Sequence, residues 1–194
     1  MSADTWLVAG LGNPGPGYAR HRHNVGAMVL DELAGRIGAG FSVDARARAA
    51  VATGRVRPGG PRVVLAKPAV FMNTSGGPVA ALLQYYSLCV DQLIVVHDEM
   101  DIPFDDVRLK RGGSEGGHNG LKDITRAIGT RDYVRVRVGV GRPPGRKDPA
   151  DHVLSDFAKT ELADLPLLLD TAADAVGAVV EDGLLAAQQR FHGR

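Results

Sequence analysis

Cysteine is almost missing from this sequence, since Cys89 is the single one among 194 residues. No disulfide can form within the chain, which excludes the cross-linked scaffold of a small secreted protein. The scarcity predicts a reducing, cytoplasmic location. Aromatic residues make up only 5% of the chain, so base stacking should contribute little to any nucleic-acid binding.

Long hydrophobic runs are missing as well. No apolar stretch approaches the roughly 18–20 residues that a membrane span needs. The first residues, MSADTWLVAGLGNPG, lack a basic segment followed by an apolar one, so neither a signal peptide nor a membrane partner is expected. With 44% hydrophobic and 23% charged residues, the composition is that of a globular protein, and residues 1–194 are predicted to form one domain.

Excess charge of one sign is also missing overall, because the formal net charge is only +1. The distribution is uneven, however. Residues 107–147 hold eleven lysines and arginines against three acids, whereas residues 148–194 hold nine acids against three bases. A basic middle on a near-neutral chain indicates a localised anion-binding face, although an unevenly charged solvated surface is the simpler alternative.

Strand-like and helix-like segments alternate along most of the chain. Helical spacing of apolar residues predicts helices at 25–37, 75–86, 118–128 and 160–190, the second capped by Ser75 and the last started or kinked by Pro166. Strands are predicted at 6–11, 48–57, 62–67, 93–96, 106–110 and 133–140. This alternation predicts an α/β fold: a single three-layer α/β/α domain with a mixed, mostly parallel twisted sheet.

Three polar residues stand where such a fold gathers its chemistry. Asn13 and Asp98 each follow a buried strand, and ligands collect beyond the carboxyl ends of strands. His23 begins the first predicted helix and can accept a proton near neutral pH. If Asp98 faces it, the carboxylate orients the imidazole and favours its protonated form. A structural histidine remains the alternative for His23 read alone.

Recognisable motifs for other chemistries are not found. The segment GLGNPG lacks the strand, spacing and helix of a dinucleotide-binding loop. No serine, threonine or cysteine lies in a nucleophile motif, so a histidine and aspartate pair would activate water. No HExxH motif or cysteine and histidine cluster occurs, and His118 looks isolated, so neither a metal nor another cofactor is expected.

Two further strings and one pattern of basic residues suit ligand binding. Asn73, in FMNTSG, can hold an amide, a water or an oxyanion, and GGHNG opens a helix whose free amides can bind an anion. Each string can also be only a capping turn. Four basic residues stand at i, i+2 spacing on two predicted strands and can clamp a phosphate: Arg108, Lys110, Arg135 and Arg137.

In chain order, these strings resemble the bacterial-type peptidyl-tRNA hydrolase family over nearly the whole chain. The resemblance implies a metal-independent, cofactor-free esterase that acts as a monomer on peptidyl-tRNA, binding its acceptor stem and CCA end. It implies that His23 activates water, that Asp98 supports it, and that Asn13 separates N-blocked from free aminoacyl-tRNA. The matching strings are residues 10–15, Tyr18, Arg22-His23-Asn24, Phe71-Met72-Asn73, Ser75-Gly76, His97-Asp98-Glu99-Met100-Asp101, residues 116–122, residues 137–141 and Val153-Leu154.

The resemblance also implies the substrate contacts. Tyr18, Phe71, Asn73 and Asn119 would contact the peptidyl-tRNA end, and Met72 and His118 would line the cleft. Lys110 and Arg137, with Arg108 and Arg135 nearby, would clamp a tRNA phosphate, and residues 142–155 would form a lid.

Three residues depart from the commoner family pattern: His21, Glu115 and His152. Glu115 weakens the case for phosphate binding by the glycine loop. Two other functions compete with the family's: a small-molecule α/β esterase or peptidase, and a non-catalytic RNA-binding domain. The basic strands and the missing nucleophile motif disfavour the first, and a His23–Asp98 pair would be unnecessary in the second.

Overall fold

The computed structural model describes residues 4–192, and its strands form one seven-stranded sheet. Along the sheet their order is β2-β3-β4-β1-β5-β7-β6. The strands are β1 (Thr5–Gly10), β2 (Ser42–Asp44), β3 (Ala49–Arg55), β4 (Arg62–Pro68), β5 (Leu93–Glu99), β6 (Val107–Arg111) and β7 (Val134–Gly139).

The centre of the sheet is parallel and its two edges are antiparallel. Strands β4, β1, β5 and β7 run side by side in one direction. Strands β4, β1 and β5 read as nearly continuous apolar runs, which is the pattern of parallel strands covered on both faces, whereas β7 alternates. Strands β3 and β2 add antiparallel neighbours at one edge, and β6 does so at the other. The mixed, mostly parallel sheet expected from the sequence is therefore confirmed.

Helices cover both faces of this sheet, which confirms the three-layer arrangement. One apolar layer holds Val29 and Leu168 against the strands, and the other holds Leu82 and Ile124. Among residues 4–192, no helix has both the length and the apolar character needed to cross a membrane. The helices are α1 (Val25–Arg36), α2 (Gly76–Tyr85), α3 (Asn119–Ile128), α4 (Pro149–Val153), α5 (Lys159–Leu162), α6 (Leu165–Asp182) and α7 (Leu184–His192).

The C-terminal segment differs from the single helical segment expected over residues 160–190. It forms α5, α6 and α7, and the chain turns between the last two at Gly183, whose φ is +85°. That backbone conformation is readily accessible only to glycine, so a continuous helix ends there. Pro166 lies in the first turn of α6, as predicted, where a proline is tolerated.

The expected cap of α2 by Ser75 is wrong. The Ser75 hydroxyl donates instead to the carbonyl of Met72 in the preceding 3₁₀ turn, at 2.8 Å. The first amide of the helix, that of Gly76, donates to a carboxylate oxygen of Asp123 in α3, at 2.8 Å. A residue distant in sequence has taken over the role of the local cap.

Close contact between α1 and the sheet depends on two glycines. A Cβ on Gly26 would lie 2.2 Å from the carbonyl oxygen of Val96 in β5, and one on Gly10 would lie 2.4 Å from the carbonyl oxygen of Gly26. Side chains at either position would push α1 away from β1 and β5. The 3₁₀ turn Arg22–Asn24, which leads into α1, would move with it.

We expect Gly26→Ala to lower the free energy of unfolding by about 1–3 kcal/mol, the usual cost of forcing a methyl group into a packed interior. Gly35→Ala is the matched control, since a Cβ there meets no atom within 4 Å. On the same helix that change should leave stability equal or raise it by up to about 1 kcal/mol. Urea unfolding of both variants tests the contact, and equal stabilities would contradict it.

Candidate active site

A buried carboxylate, that of Asp98, lies at the centre of the candidate site. The sequence predicts it just past a strand, but Asp98 lies within β5, because β5 continues to Glu99 by pairing Asp98 with Val138 of β7. Only 3% of its side chain is exposed. A charge that is so poorly hydrated needs hydrogen-bond donors around it.

Two histidines supply those donors. Oδ1 of Asp98 accepts from Nδ1 of His23 at 2.9 Å and from Nε2 of His118 at 2.8 Å, and Oδ2 lies 3.0 Å from His23. The pairing of His23 with Asp98 is therefore present as expected. His118, which looks isolated in the sequence, is joined to the same carboxylate because the start of α3 packs beside the end of β5.

The bonds of His118 fix which of its nitrogens carries the proton. Nδ1 accepts the backbone amides of Gly120 at 3.1 Å and Leu121 at 3.4 Å, so it is the acceptor and Nε2 is the donor. His23, Asp98 and His118 are spaced closely enough to be considered as ligands of a metal ion. However, a protonated Nε2 offers no lone pair, so this geometry favours a hydrogen-bonded chain over a metal site.

Burial and hydrogen bonding shift the pKa of both members of the central pair. Burial raises the pKa of Asp98, but its interactions with His118 and His23 outweigh that effect and hold the pKa well below its usual range. Burial lowers the pKa of His23, but the charge and hydrogen bond of Asp98 raise it above the ordinary 6.5 overall. An ionised Asp98 can only accept, so Nδ1 of His23 is protonated and Nε2 is left as the basic atom.

A third histidine, His97, completes the cluster and was not predicted as a site residue. Its Nδ1 donates to the backbone carbonyl of Asp98 at 2.7 Å, and its ring packs edge-on against His118 at 5.1 Å between centroids. Burial, reinforced by His118, lowers its pKa to about 3. His97 is therefore neutral near pH 7, and it adds bulk around Asp98 without adding charge.

A cleft of about 840 Å³ opens over this cluster. Tyr18 does not line it, but the ring of Tyr18 contacts that of Phe71 edge-on at 6.2 Å. The predicted residues that the fold brings together on the cleft wall are Asn13, His23, Phe71, Met72, Asn73, Asp98, His118 and Asn119. Further lining residues were not predicted individually as site residues, although the last three fall in the predicted lid: Glu99, Met100, Glu115, Asp148, Pro149 and Ala150. Of these, Glu99 and Met100 directly follow Asp98 in a string already singled out.

Asn13 is held so that one half of its amide is available to a ligand. Its backbone exchanges hydrogen bonds with the side chain of Asn24, at 3.0 and 2.9 Å. Its side-chain Oδ1 accepts the amide of Met72 at 2.7 Å. The acceptor is therefore used within the protein, and the NH₂ group is the half left for the cleft.

The basic residues of β6 and β7 form a cross-strand set. Arg108 lies opposite Arg137, and Lys110 lies opposite Arg135, in the antiparallel register. Burial, together with the charges of Arg137 and Arg135, lowers the pKa of Lys110. Glu99 lies 3.4 Å from the Arg137 guanidinium, a weak pairing. The four basic side chains therefore have fewer acidic partners than positive charges, and a bound anion can balance the remainder.

Arg135 differs from the other three because its side chain is buried. The sequence alternation predicts one covered face for β7, yet Arg135 is only 1% exposed. Its guanidinium donates to the carbonyls of Ser114 at 2.7 Å and Gly113 at 3.0 Å. The glycine loop therefore lies over β7 at this point, and Arg135 holds the loop instead of facing solvent.

Glu115, the acid in that loop, also has a partner. Its carboxylate accepts from the Arg131 guanidinium at 2.7 Å, and its side chain is 10% exposed. That hydrogen bond lowers the pKa of Glu115. Arg131 and Arg135 thus hold consecutive parts of the loop, which leads into Asn119 at the start of α3.

Arg22, the residue before His23, ties the site to the segment that follows α4. Its Nη1 donates to the carbonyl of Asp156 at 2.5 Å and to the hydroxyl of Ser155 at 2.9 Å. Its Nη2 donates to the carboxylate of Glu161 at 2.7 Å. The buried guanidinium therefore couples the position of His23 to the far end of the predicted lid.

Hydrogen bonds hold the ends of residues 142–155, the predicted lid, against the rest of the protein. The imidazole of His152 is buried, and its Nε2 donates to the carbonyl of Gly141 at 3.1 Å. Val153 and Leu154 reach the cleft. The hydrogen bond from His152 to Gly141 therefore holds the two ends of the segment together. The segment carries α4 and forms one side of the cleft.

Known proteins identify the family and the fold. The family model described as peptidyl-tRNA hydrolase matches residues 7–194. The chain is 64% identical to a peptidyl-tRNA hydrolase of Pseudarthrobacter chlorophenolicus, over 97% of this chain and 96% of that protein. It is 62% identical to one of Frankia casuarinae, over 96% of this chain and 93% of that protein.

A crystal structure of peptidyl-tRNA hydrolase from Acinetobacter baumannii superposes with a TM-score of 0.89, at 31% identity over 98% of this chain and 96% of that one. The chain belongs to the peptidyl-tRNA hydrolase family. Membership confirms the family predicted from the ordered motifs, and with it an enzyme that hydrolyses the ester bond of peptidyl-tRNA. The two competing functions lose their support.

We expect Asp98→Asn to move the acid limb of the kcat/KM profile to lower pH. Neutral His23 is the basic form, so activity that depends on this base should rise with pH through its raised pKa. Removing the carboxylate charge lowers that pKa, because the negative charge and hydrogen bond of Asp98 are what favour the protonated imidazole. The plateau rate should also fall, since the ring loses its orientation.

Asp182→Asn is the control for this experiment, because Asp182 is exposed at the end of α6 and does not line the cleft. Its profile should match that of the unaltered enzyme. An unshifted limb in Asp98→Asn would show that a group other than His23 controls the profile.

Proposed function

We propose that His23 is the general base of peptidyl-tRNA hydrolysis. Nε2 of His23 takes a proton from a water molecule, whose oxygen attacks the ester carbonyl carbon. The bond from that carbon to the ribose oxygen then breaks, and the protonated imidazole returns the proton to the ribose oxygen. The observation that carries this proposal is the bond from Nδ1 of His23 to buried Asp98, which leaves Nε2 as the basic atom in the cleft.

The developing negative charge on the carbonyl oxygen needs a donor. Asn73 and Asn119 are exposed residues of the cleft wall, on the 3₁₀ turn Met72–Thr74 and at the first position of α3. An amide NH₂ from either can bind the oxyanion or orient the attacking water. Met72 and Phe71 supply apolar surface on the same wall for the peptide side chains.

Asn13 is suited to distinguish peptidyl from free aminoacyl groups. With Oδ1 held by the amide of Met72, its NH₂ group can donate to the amide carbonyl that only an N-blocked substrate carries. A free aminoacyl group presents an ammonium instead, and two donors would then face each other. A site built around a hydrogen bond rejects an analogue that cannot form it.

We expect His23→Ala to lower kcat for an N-acetylaminoacyl-tRNA by about 10²–10⁴-fold, the usual contribution of a general base. His21→Ala is the matched control, since His21 lies two residues earlier, is partly exposed and does not line the cleft. Release of labelled tRNA measures both variants. Near-full activity in His23→Ala would end this assignment.

The basic set on β6 and β7 is proposed to bind a phosphate of the acceptor stem. Lys110 and Arg137 are best suited to bind the phosphate, because both are partly exposed and lie on adjacent strands. Arg108 is exposed beside them and forms an ion pair with Asp106, with 3.0 Å between Nε and Oδ2. Arg135 supports the set by holding the glycine loop. Phosphate contacts carry no base information, so activity should extend across tRNA species and weaken as salt rises.

We expect the double change Lys110→Ala with Arg137→Ala to raise KM more than it lowers kcat, and to flatten the dependence of KM on salt. The control is Arg46→Ala with Arg57→Ala, which removes two exposed positive charges outside the cleft and the basic strands. That variant should keep its KM. A fall in kcat at constant KM in the first variant would contradict the clamp.

The proposal extends to the domain organisation, the oligomeric state, the cellular location and the lid. We propose that the chain is the single domain expected for residues 1–194, built around the one sheet, and that it acts as a monomer in the cytoplasm. Residues 142–155 act as a lid that limits the access of bulk water to the ester. Since Arg22 and His152 hold the end of this segment that follows Asp148, movement should concentrate in residues 142–148.

A further inference from the structure

Strand β6 is the last strand at one end of the sheet, so one edge of its backbone faces no other strand. Such an edge leaves amide and carbonyl groups in need of partners. At the middle residue, Leu109, the structure supplies both. The Leu109 amide donates to Nε2 of His192 at 2.8 Å, and the Leu109 carbonyl accepts from Nε2 of Gln188 at 3.1 Å.

Gln188 and His192 are four residues apart on α7 and therefore lie on the same face of that helix. One offers a donor and the other an acceptor, so together they replace the hydrogen bonds that a neighbouring strand would make. The Leu109 side chain is buried beneath them at 1% exposure. The centre of β6 is thereby held by the packing of its side chain and by both of its backbone groups.

Arg108 and Lys110 flank Leu109, and side chains alternate along a strand, so both point to the face opposite the Leu109 side chain. Their positions follow from the position of the backbone at Leu109. We propose that Gln188 and His192 are positioning residues that hold Arg108 and Lys110 in place for phosphate binding. This inference rests on the proposed phosphate clamp.

The chemistry of His192 is consistent with this role. An Nε2 atom that accepts an amide proton requires a neutral ring protonated at Nδ1. Burial, reinforced by the positive charge of Arg108, lowers the pKa of His192. The same basic set that would bind phosphate therefore keeps His192 in the form that holds β6.

Two substrates separate positioning of the clamp from general stability. One is a full-length N-acetylaminoacyl-tRNA, and the other is the same aminoacyl group on a CCA trinucleotide, which has no acceptor stem. For His192→Ala and Gln188→Ala, we expect KM for the full-length substrate to rise about three- to tenfold, the effect of losing one or two hydrogen bonds. KM and kcat for the trinucleotide substrate should stay unchanged.

His192→Gln provides the conservative variant, because its side-chain oxygen can accept the Leu109 amide and should restore most of the KM. Gln189→Ala, exposed on the same helix, is the control and should behave as the unaltered enzyme. Hydrogen exchange at the Leu109 amide should accelerate in His192→Ala but not in Gln189→Ala.

Equal losses on the two substrates would overturn the proposal in favour of a purely structural role, and an unchanged KM in both alanine variants would also overturn it. The double change at Lys110 and Arg137, measured with the same substrates, separates failure of the phosphate clamp from failure of the positioning role of Gln188 and His192. If that variant also keeps its KM for full-length tRNA, the clamp itself is wrong. If only that variant loses affinity, the clamp stands and the role of α7 fails.

Discussion

The arrangement of the site depends on one buried carboxylate shared by two imidazoles. Asp98 can remain ionised inside the protein because His23 and His118 both donate to it. In return, it fixes the proton of His23 on Nδ1 and directs Nε2 to the cleft. His118 can donate because its other nitrogen is held by backbone amides at the start of α3. The imidazole of His23, on the 3₁₀ turn before α1, is therefore oriented by a carboxylate of β5, and that carboxylate is held by a histidine at the start of α3.

This chain of contacts requires close packing between layers. Gly26 lets α1 approach the carbonyl of Val96, only two residues before Asp98. On the opposite side, a Cβ on Gly120 would lie 2.6 Å from the sulfur of Met72, so α3 also packs closely. At these glycines the backbone packs directly against neighbouring elements, because no side chain intervenes. This close packing brings side chains from three elements within hydrogen-bonding distance.

The basic side chains around the cleft fall into two groups. Arg135 uses its guanidinium on loop carbonyls and Arg22 uses its own on the segment after α4, so both stabilise loops around the cleft. Lys110 and Arg137 keep more of their charge available. The distinction cannot be read from residue type, because all four are basic, and Arg135 and Arg137 lie only two residues apart on β7. It follows from which of them the neighbouring loops cover.

The sequence by itself determined the alternation of strands and helices and the three-layer class, because apolar periodicity is a local signal. It also singled out His23 and Asp98, but only the structure shows that they face each other. The ordered motifs determined the family. Only the tertiary structure decided that His118 shares Asp98, that Asp123 caps α2 in place of Ser75, and that Arg135 is buried. Each of these depends on which distant segments pack together, and no spacing along the chain encodes that distance.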